Sequence, residues 1–358
     1  MSETVEYVSI DFGYGYLKAI SSTGKRIIFP SLIGEGYESQ LSNETEGIGF
    51  GETADIDNMS IKVDNQIYLV GKSAEQSEGV TRNFTKEDRY NDKLTKILIN
   101  VAIQLVSDGK SDKIYLFTGL PLDFYSTQAK FANTFTGVQS TIEWLSGGLK
   151  GQKISNNIEK TLVFPQGASA IMAALINHEG KYTYPELMRK GNVLALIDIG
   201  FRTTDYIVVE VQKNGSIVPR MKQSGTHEKG IIDLRNALKT YFKGKTGGTE
   251  LREYQLENKA LFGEPVRYKN EYIPFKDELE RTKKSITKNI VDKLNQVWKG
   301  ESDMFDKIFV AGGGGSDFIN YLNPYFNGDL TKIEEYHFAN AIGYLRLGKA
   351  IIRKKEVI

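Results

Sequence analysis

The chain has 358 residues, which at roughly 100–200 residues per domain points to two domains or one large one. It is 40% hydrophobic and 25% charged, an ordinary globular composition, and its formal net charge of +1 removes any global attraction to nucleic acid or an anionic membrane. Cysteine is absent, which excludes disulfides, thiolate metal sites and cysteine nucleophiles, and three scattered histidines (His178, His227, His337) argue against a histidine-built zinc site.

Residues 5–10 alternate apolar and polar side chains and run into Asp11-Phe12-Gly13-Tyr14-Gly15-Tyr16-Leu17-Lys18. This predicts a strand, a glycine-permitted turn and a second strand. Residues 34–51, rich in Gly, Ser, Glu and Asn, are expected to form an exposed, mobile loop. A strand pair is expected over 61–70, turning at Asp64-Asn65. Between 92 and 107, Leu94, Ile97, Leu98, Val101, Ala102 and Leu105 recur at helical spacing, with Gly109 in a C-cap position. An apolar strand over 114–118 follows, ending in Gly119-Leu120-Pro121, and gives the helix-then-strand alternation of an α/β domain. Residues 168–176, after Pro165, read as another helix.

Residues 192–200 (NVLALIDIG) then repeat the pattern of residues 6–13 (EYVSIDFG), and 203–211 (TTDYIVVEV) supply a second β-rich segment. The two aspartates, Asp11 and Asp198, lie 187 residues apart, about half the chain. A unit recurring once per half suggests two domains of similar architecture facing one another. A basic helix is expected over 275–299, a strand over 308–311 running into Gly312-Gly313-Gly314-Gly315, and a packed helix over 338–352. The basic cluster Arg353-Lys354-Lys355 reads as a frayed, solvated terminus. No apolar run approaches the ~18 residues of a membrane span and the first eight residues lack a signal-peptide pattern, so a soluble cytoplasmic protein with no membrane partner is expected.

Two Asp-x-Gly turns, one per half, suit a phosphate clamp closed from two domains. Gly13 and Gly15 lack a Cβ and let backbone N–H groups approach phosphate oxygens. Asp11 and Asp198, at strand ends, stand where a hydrated Mg²⁺ needs only one or two carboxylates. Lys18 supplies a compact positive charge, Thr203 and Thr204 supply hydroxyls, and Gly312–Gly315 offers a side-chain-free surface for a base or ribose. Three familiar motifs fail. Asp11-Phe12-Gly13 has no kinase catalytic loop with it, Lys18 replaces the third glycine of a dinucleotide fingerprint, and no GxxxxGK[ST] loop occurs.

The segment DFGYGYLKA at 11–19 resembles the first phosphate loop of actin, with Asp, Gly, Gly, Lys and Ala in register. LIDIGFRTTDY at 196–206 is similar to the second phosphate loop of the actin, sugar-kinase and heat-shock chaperone superfamily, and VAGGGGSDF at 310–318 to its adenosine motif. FPQGASAIMAAL at 164–175 and FANAIGYLRLG at 338–348 resemble its two connecting helices. Within that superfamily, TGLPLDFY at 118–125 and the overall length resemble bacterial plasmid-segregation actins of the ParM type.

The resemblance implies an α/β, actin-like fold of two duplicated domains, with mixed sheets flanked by helices around a nucleotide cleft. Domain I would take 1–179 and 337–358, with a small insertion subdomain at about 30–85, and domain II would take 180–336. It further implies ATP and Mg²⁺ as cofactors, with Asp11 and Asp198 holding the metal through water. Gly13, Tyr14, Gly15 and Lys18 would contact the β- and γ-phosphates, joined by Gly200, Arg202 and Thr203 from the other domain. Tyr14, in place of actin's small hydroxyl residue, would use its backbone N–H. Gln166 falls where actin has a water-positioning glutamine. Gly230, in GTHEKG, and Gly312, Gly313 and Gly314 would meet ribose or adenine, and helix 276–299 would complete the purine pocket.

The implied activity is a polymerising ATPase with its own copies as partners. A DNA-binding adaptor at the filament end would serve plasmid segregation without direct DNA contact. Loops 34–51 and 84–90 are candidate protomer contacts. Two alternatives stay open: a small-molecule kinase of the same superfamily, which needs a general base facing an acceptor hydroxyl, and a non-polymerising nucleotide-dependent scaffold. Asp205 is the one further carboxylate near the loops and reads as a turn or strand residue.

Overall fold

Val5–Phe12 (β1) is buried from Val8 onward, as suits a strand covered on both faces, and turns back as Tyr16–Ser21 (β2). The structure, a computed structural model, describes residues 4–37, 56–76 and 93–356, with side chains to residue 353. Two units are distinguished: Met1–Ala173 with His178–Gly180 and Asn340–Ile358, and Ala174–Asn177 with Lys181–Ala339.

In the first unit, β1 and β2 are joined by Arg26–Pro30 (β3), Ile33–Glu35 (β4), Met59–Val63 (β5) and Gln66–Val70 (β6). Helix Lys93–Val106 (α1), strand Lys113–Leu120 (β7), helix Gln128–Phe135 (α2), strands Val138–Trp144 (β8) and Lys153–Pro165 (β9) and helix Ala168–Leu175 (α3) follow. The sheet order is β3-β2-β1-β7-β9-β8-β5-β6-β4, with β1, β7 and β9 parallel and the other pairs antiparallel. Asp64 and Asn65 both take left-handed φ (49° and 64°), which the tight β5–β6 hairpin requires. The apolar stripe of α1, including Leu98, Val101 and Ala102, seals the sheet around Val8, Ile10, Leu17 and Ala19.

The second unit holds Val193–Ile199 (β10), Thr204–Val211 (β11), Ile217–Pro219 (β12), Gly225–His227 (β13), helix Ile231–Lys245 (α4) and helix Glu253–Asn258 (α5). Val266–Tyr268 (β14) and Glu271–Ile273 (β15) make a separate hairpin before helix Lys276–Trp298 (α6), strand Lys307–Ala311 (β16), helix Gly315–Leu322 (α7) and strand Leu330–Lys332 (β17). Asp277 and Glu278 in the first turn of α6 complement the helix dipole. The sheet order is β12-β11-β10-β16-β17, with β13 also on β11. In direction and order this repeats β3-β2-β1-β7-β9, so the duplication extends over five strands.

The last helix, Ala339–Glu356 (α8), returns to the first unit. It lies so close that a Cβ on Gly343 would collide with the Ser169 carbonyl and one on Gly348 with the Phe117 ring. The helix continues through Arg353-Lys354-Lys355, where the sequence suggests fraying. Of the loop expected over 34–51, Gly34 and Glu35 belong to β4, residues 36 and 37 follow it, and the remainder lies outside the described residues, as does 84–90.

Candidate functional site

In each unit three parallel strands end at one edge of the sheet. In the first these ends are Phe12, Leu120 and Pro165; in the second they are Ile199, Ala311 and Lys332. Open α/β sheets place ligands beyond the carboxyl ends of such strands. The residues singled out from the sequence gather at these two edges.

The first loop is a tight reversal in which the Gly13 N–H donates to the Tyr16 carbonyl at 3.1 Å. A Cβ on Gly13 would sit 2.7 Å from that carbonyl oxygen, so glycine is required. Asp11 pairs across the ladder with Lys18, and their side chains meet at 3.6 Å while only 6% and 14% exposed. Ser31, just after β3, donates its hydroxyl to the Gly13 carbonyl at 2.8 Å and its backbone N–H to the Gly15 carbonyl at 2.9 Å.

The second loop has the same turn, with the Gly200 N–H donating to the Thr203 carbonyl at 2.8 Å. The correspondence is residue for residue. Asp198 pairs across the ladder with Asp205, as Asp11 does with Lys18. One hairpin therefore sets an acid opposite a base, and the other sets an acid opposite an acid on the same face. Asp205 lies in β11 and accepts the Thr226 hydroxyl at 2.7 Å. Thr203 is buried at the loop, whereas the Thr204 hydroxyl donates to the Lys229 carbonyl and so serves the fold.

Gly230 precedes α4, and a Cβ there would come within 2.7–2.8 Å of the Phe201 and Gly200 carbonyl oxygens. Its bareness lets the start of α4 close onto the loop, where the Ile231 N–H donates to the Gly200 carbonyl (3.2 Å) and the Ile232 N–H to the Phe201 carbonyl (2.8 Å). Arg202 is half exposed and pairs with Glu228 at 3.8 Å. Behind the loop, the Arg235 guanidinium stands 6.0 Å from the Phe201 ring centroid and pairs with Glu253 and Glu257 of α5.

The glycine run after β16 is packed from one side. Gly312, at φ 83°, lies where a Cβ would collide with the Asp198 carboxylate and the Ile199 carbonyl, and a Cβ on Gly314 would meet Ile199 and Ile231. The Gly314 N–H donates to the Ile199 carbonyl at 2.9 Å. Within the run only Gly313 meets nothing tighter than an ordinary contact, with His337 Nδ1 3.9 Å from its Cβ position. Nearby strand β13 and helix α6 meet through His227 Nε2 and Asn289 Oδ1 at 2.7 Å.

Gln166 follows β9, half-buried, and its N–H donates to the Leu120 carbonyl at 2.8 Å. The next residue, Gly167, takes φ 76° and donates its N–H to the buried Asn340 side chain at 2.9 Å. Gln166 thus sits at the same sheet edge as the first loop, two strands away. Among the described residues no group of three or more His, Asp or Glu side chains is placed to hold a metal. Asp11 and Asp198, one in each unit, each offer hard carboxylate oxygens of the kind that Mg²⁺ takes while keeping most of its water.

Residues 9–168 match the protein family described as actin like proteins, N terminal domain, and residues 196–323 match the archaeal actin homologue MreB-like C-terminal family. The chain belongs to the actin-like ATPase superfamily. This actin-like chain is 25% identical to the archaeal actin homolog of Thermoplasma acidophilum over 342 residues, 94% of this chain and 97% of that protein. It is 28% identical to ParM in a 15-stranded filament from Clostridium botulinum, with a TM-score of 0.78 over 97% of this chain and 99% of that one. An archaeal actin homolog in complex with ADP shares the fold at 22% identity, TM-score 0.77, over 96% of this chain and 99% of that one.

The actin-like sequence motifs cover the loops but not what braces them. Ser31 and Arg235 reach the site across 18 residues or more of chain, and no local spacing marks them, whereas Asn340 falls within the connecting-helix motif at 338–348.

Proposed function

We propose that this chain binds ATP and Mg²⁺ through its two duplicated loops, polymerises with its own copies and hydrolyses ATP to drive filament turnover. The observation that carries the reading is the second Asp-x-Gly reversal, which matches the first in turn hydrogen bond, cross-strand register and position at the sheet edge. The filament formed by the ParM relative supports self-assembly, and the ADP complex of the archaeal homolog supports a nucleotide ligand. The two sheets would form domain I (1–179 and 337–358) and domain II (180–336).

In this reading the backbone N–H groups of Tyr14 and Gly15 and the Lys18 ammonium bind β- and γ-phosphate oxygens, while the Gly13 N–H closes the turn on the Tyr16 carbonyl. Arg202 and Thr203 do the same from the second loop, whose turn Gly200 closes, and Gly230 with Gly312–Gly314 lies beside the nucleoside. Asp11 and Asp198 would hold Mg²⁺ through water, and such a cation would supply neutralisation of phosphate charge. The Gln166 amide orients the attacking water, a fitting task for a neutral group because phosphoryl transfer depends mostly on positioning and charge stabilisation. A cytoplasmic role in plasmid segregation, through a DNA-binding adaptor at the filament end, agrees with the net charge of +1.

Phosphate release measured against protein concentration tests the proposal. A polymerising ATPase shows a threshold concentration above which turnover rises. Turnover per protomer that is constant with concentration but rises with an added sugar or alcohol acceptor would replace this reading with a kinase.

A further inference from the structure

Ser31 is almost wholly buried, 1% exposed, and belongs to none of the motifs. It nevertheless holds two carbonyls of the first loop, that of Gly13 through its hydroxyl and that of Gly15 through its backbone N–H. A trans peptide unit is planar, so a fixed carbonyl fixes the next N–H in the opposite direction. Holding the Gly13 and Gly15 carbonyls therefore turns the Tyr14 and Tyr16 N–H groups away from Ser31. Two glycines in so short a turn would otherwise leave these planes free to rotate.

The second unit reaches the same end by other means. The carbonyl of Gly200, the counterpart of Gly13, accepts from the Ile231 N–H, and the next carbonyl accepts from Ile232. A serine hydroxyl in one unit and a helix start in the other thus secure the same carbonyl. That agreement between unrelated groups points to a requirement of the loop rather than an accident of packing.

We propose that Ser31 is a positioning residue for the first phosphate loop: without touching the nucleotide, it sets the loop's peptide planes so that the Tyr14 N–H faces the β- and γ-phosphates. This rests on the nucleotide-binding reading above and adds to it the residue that preorganises the donors. Ser31→Ala keeps the backbone bond to Gly15 and frees the Gly13–Tyr14 plane.

The test measures equilibrium binding of ATP, ADP and AMP, each with Mg²⁺, to the full chain and its variants. Losing one net hydrogen bond of preorganisation should weaken ATP and ADP by about three- to tenfold. AMP, which lacks the β- and γ-phosphates, should bind as to the unmodified chain. Ser31→Cys keeps the shape and weakens the donor, and should show the same split if the alanine variant folds poorly. Ser60→Ala removes another buried hydroxyl, bonded to Ser146 away from the loop, and should lower thermal stability without changing either affinity. Unchanged ATP affinity in Ser31→Ala, or equal losses for ATP and AMP, would overturn the role of Ser31 alone. Absence of ATP binding by the unmodified chain would overturn the nucleotide reading and this inference with it.

Discussion

Replacing Lys18 with methionine removes the cation that faces Asp11 and leaves a carboxylate only 6% exposed without that partner. At 3.6 Å, two unit charges in an effective dielectric of about 20 attract by about 4–5 kcal/mol, and the desolvation of both groups offsets part of this. Because Lys18 retains slight exposure, the net loss in Lys18→Met should be about 2–3 kcal/mol. For a unit of this size that lowers its Tm by roughly 4–12 °C. Adding Asp11→Asn removes the stranded charge, so the double variant should recover most of the loss and show a coupling of about 2 kcal/mol. Trp144 lies in the first unit and Trp298 in the second, so urea unfolding followed by fluorescence in a Trp298→Phe background reports on the first unit alone. Strictly additive losses in the cycle, or a Lys18→Met cost below about 0.5 kcal/mol, would refute the claim that this pair supports the first loop.

Asp198→Ala should lower Mg²⁺-dependent ATP turnover by about a hundredfold or more, and undiminished hydrolysis would remove the metal role assigned to it. Gln166→Ala should keep ATP affinity within about twofold while slowing phosphate release at least tenfold; lost binding would instead make Gln166 a binding contact. Lys349 on α8 has its pKa pushed down by burial and then by Arg353. Its charged form is therefore disfavoured in the folded state, and stability should rise as the pH climbs from the lowered value towards 10.5. Lys349→Met should raise the Tm near pH 7 by about 1–3 °C and bring no gain above pH 10.5, as read by thermal melts at both pH values.

Both hairpins were legible because their signal is local: alternating side chains, an Asp-x-Gly turn and a recurrence 187 residues on. Helices α1, α3, α6 and α8 were legible from apolar spacing for the same reason. The shared five-strand order was not, since β7, β9, β16 and β17 join their sheets through long-range pairing that leaves no local trace. The glycine run has a second reason to be bare that its sequence does not show: Asp198, Ile199 and Ile231 press against Gly312 and Gly314. Thr204 looked like a phosphate donor, yet its hydroxyl is committed to Lys229. The α5 and β14–β15 region carried no pattern that distinguished it. It is tied to the second loop by Arg235, whose partners Glu253 and Glu257 lie a helix away.

Sedimentation with light scattering, at rising protein concentration and with ATP–Mg²⁺, ADP–Mg²⁺ or no nucleotide, tests the central claim most directly. The account predicts pelleting with ATP–Mg²⁺ above a threshold concentration, followed by phosphate release. ATP binding without pelleting at any concentration would contradict it.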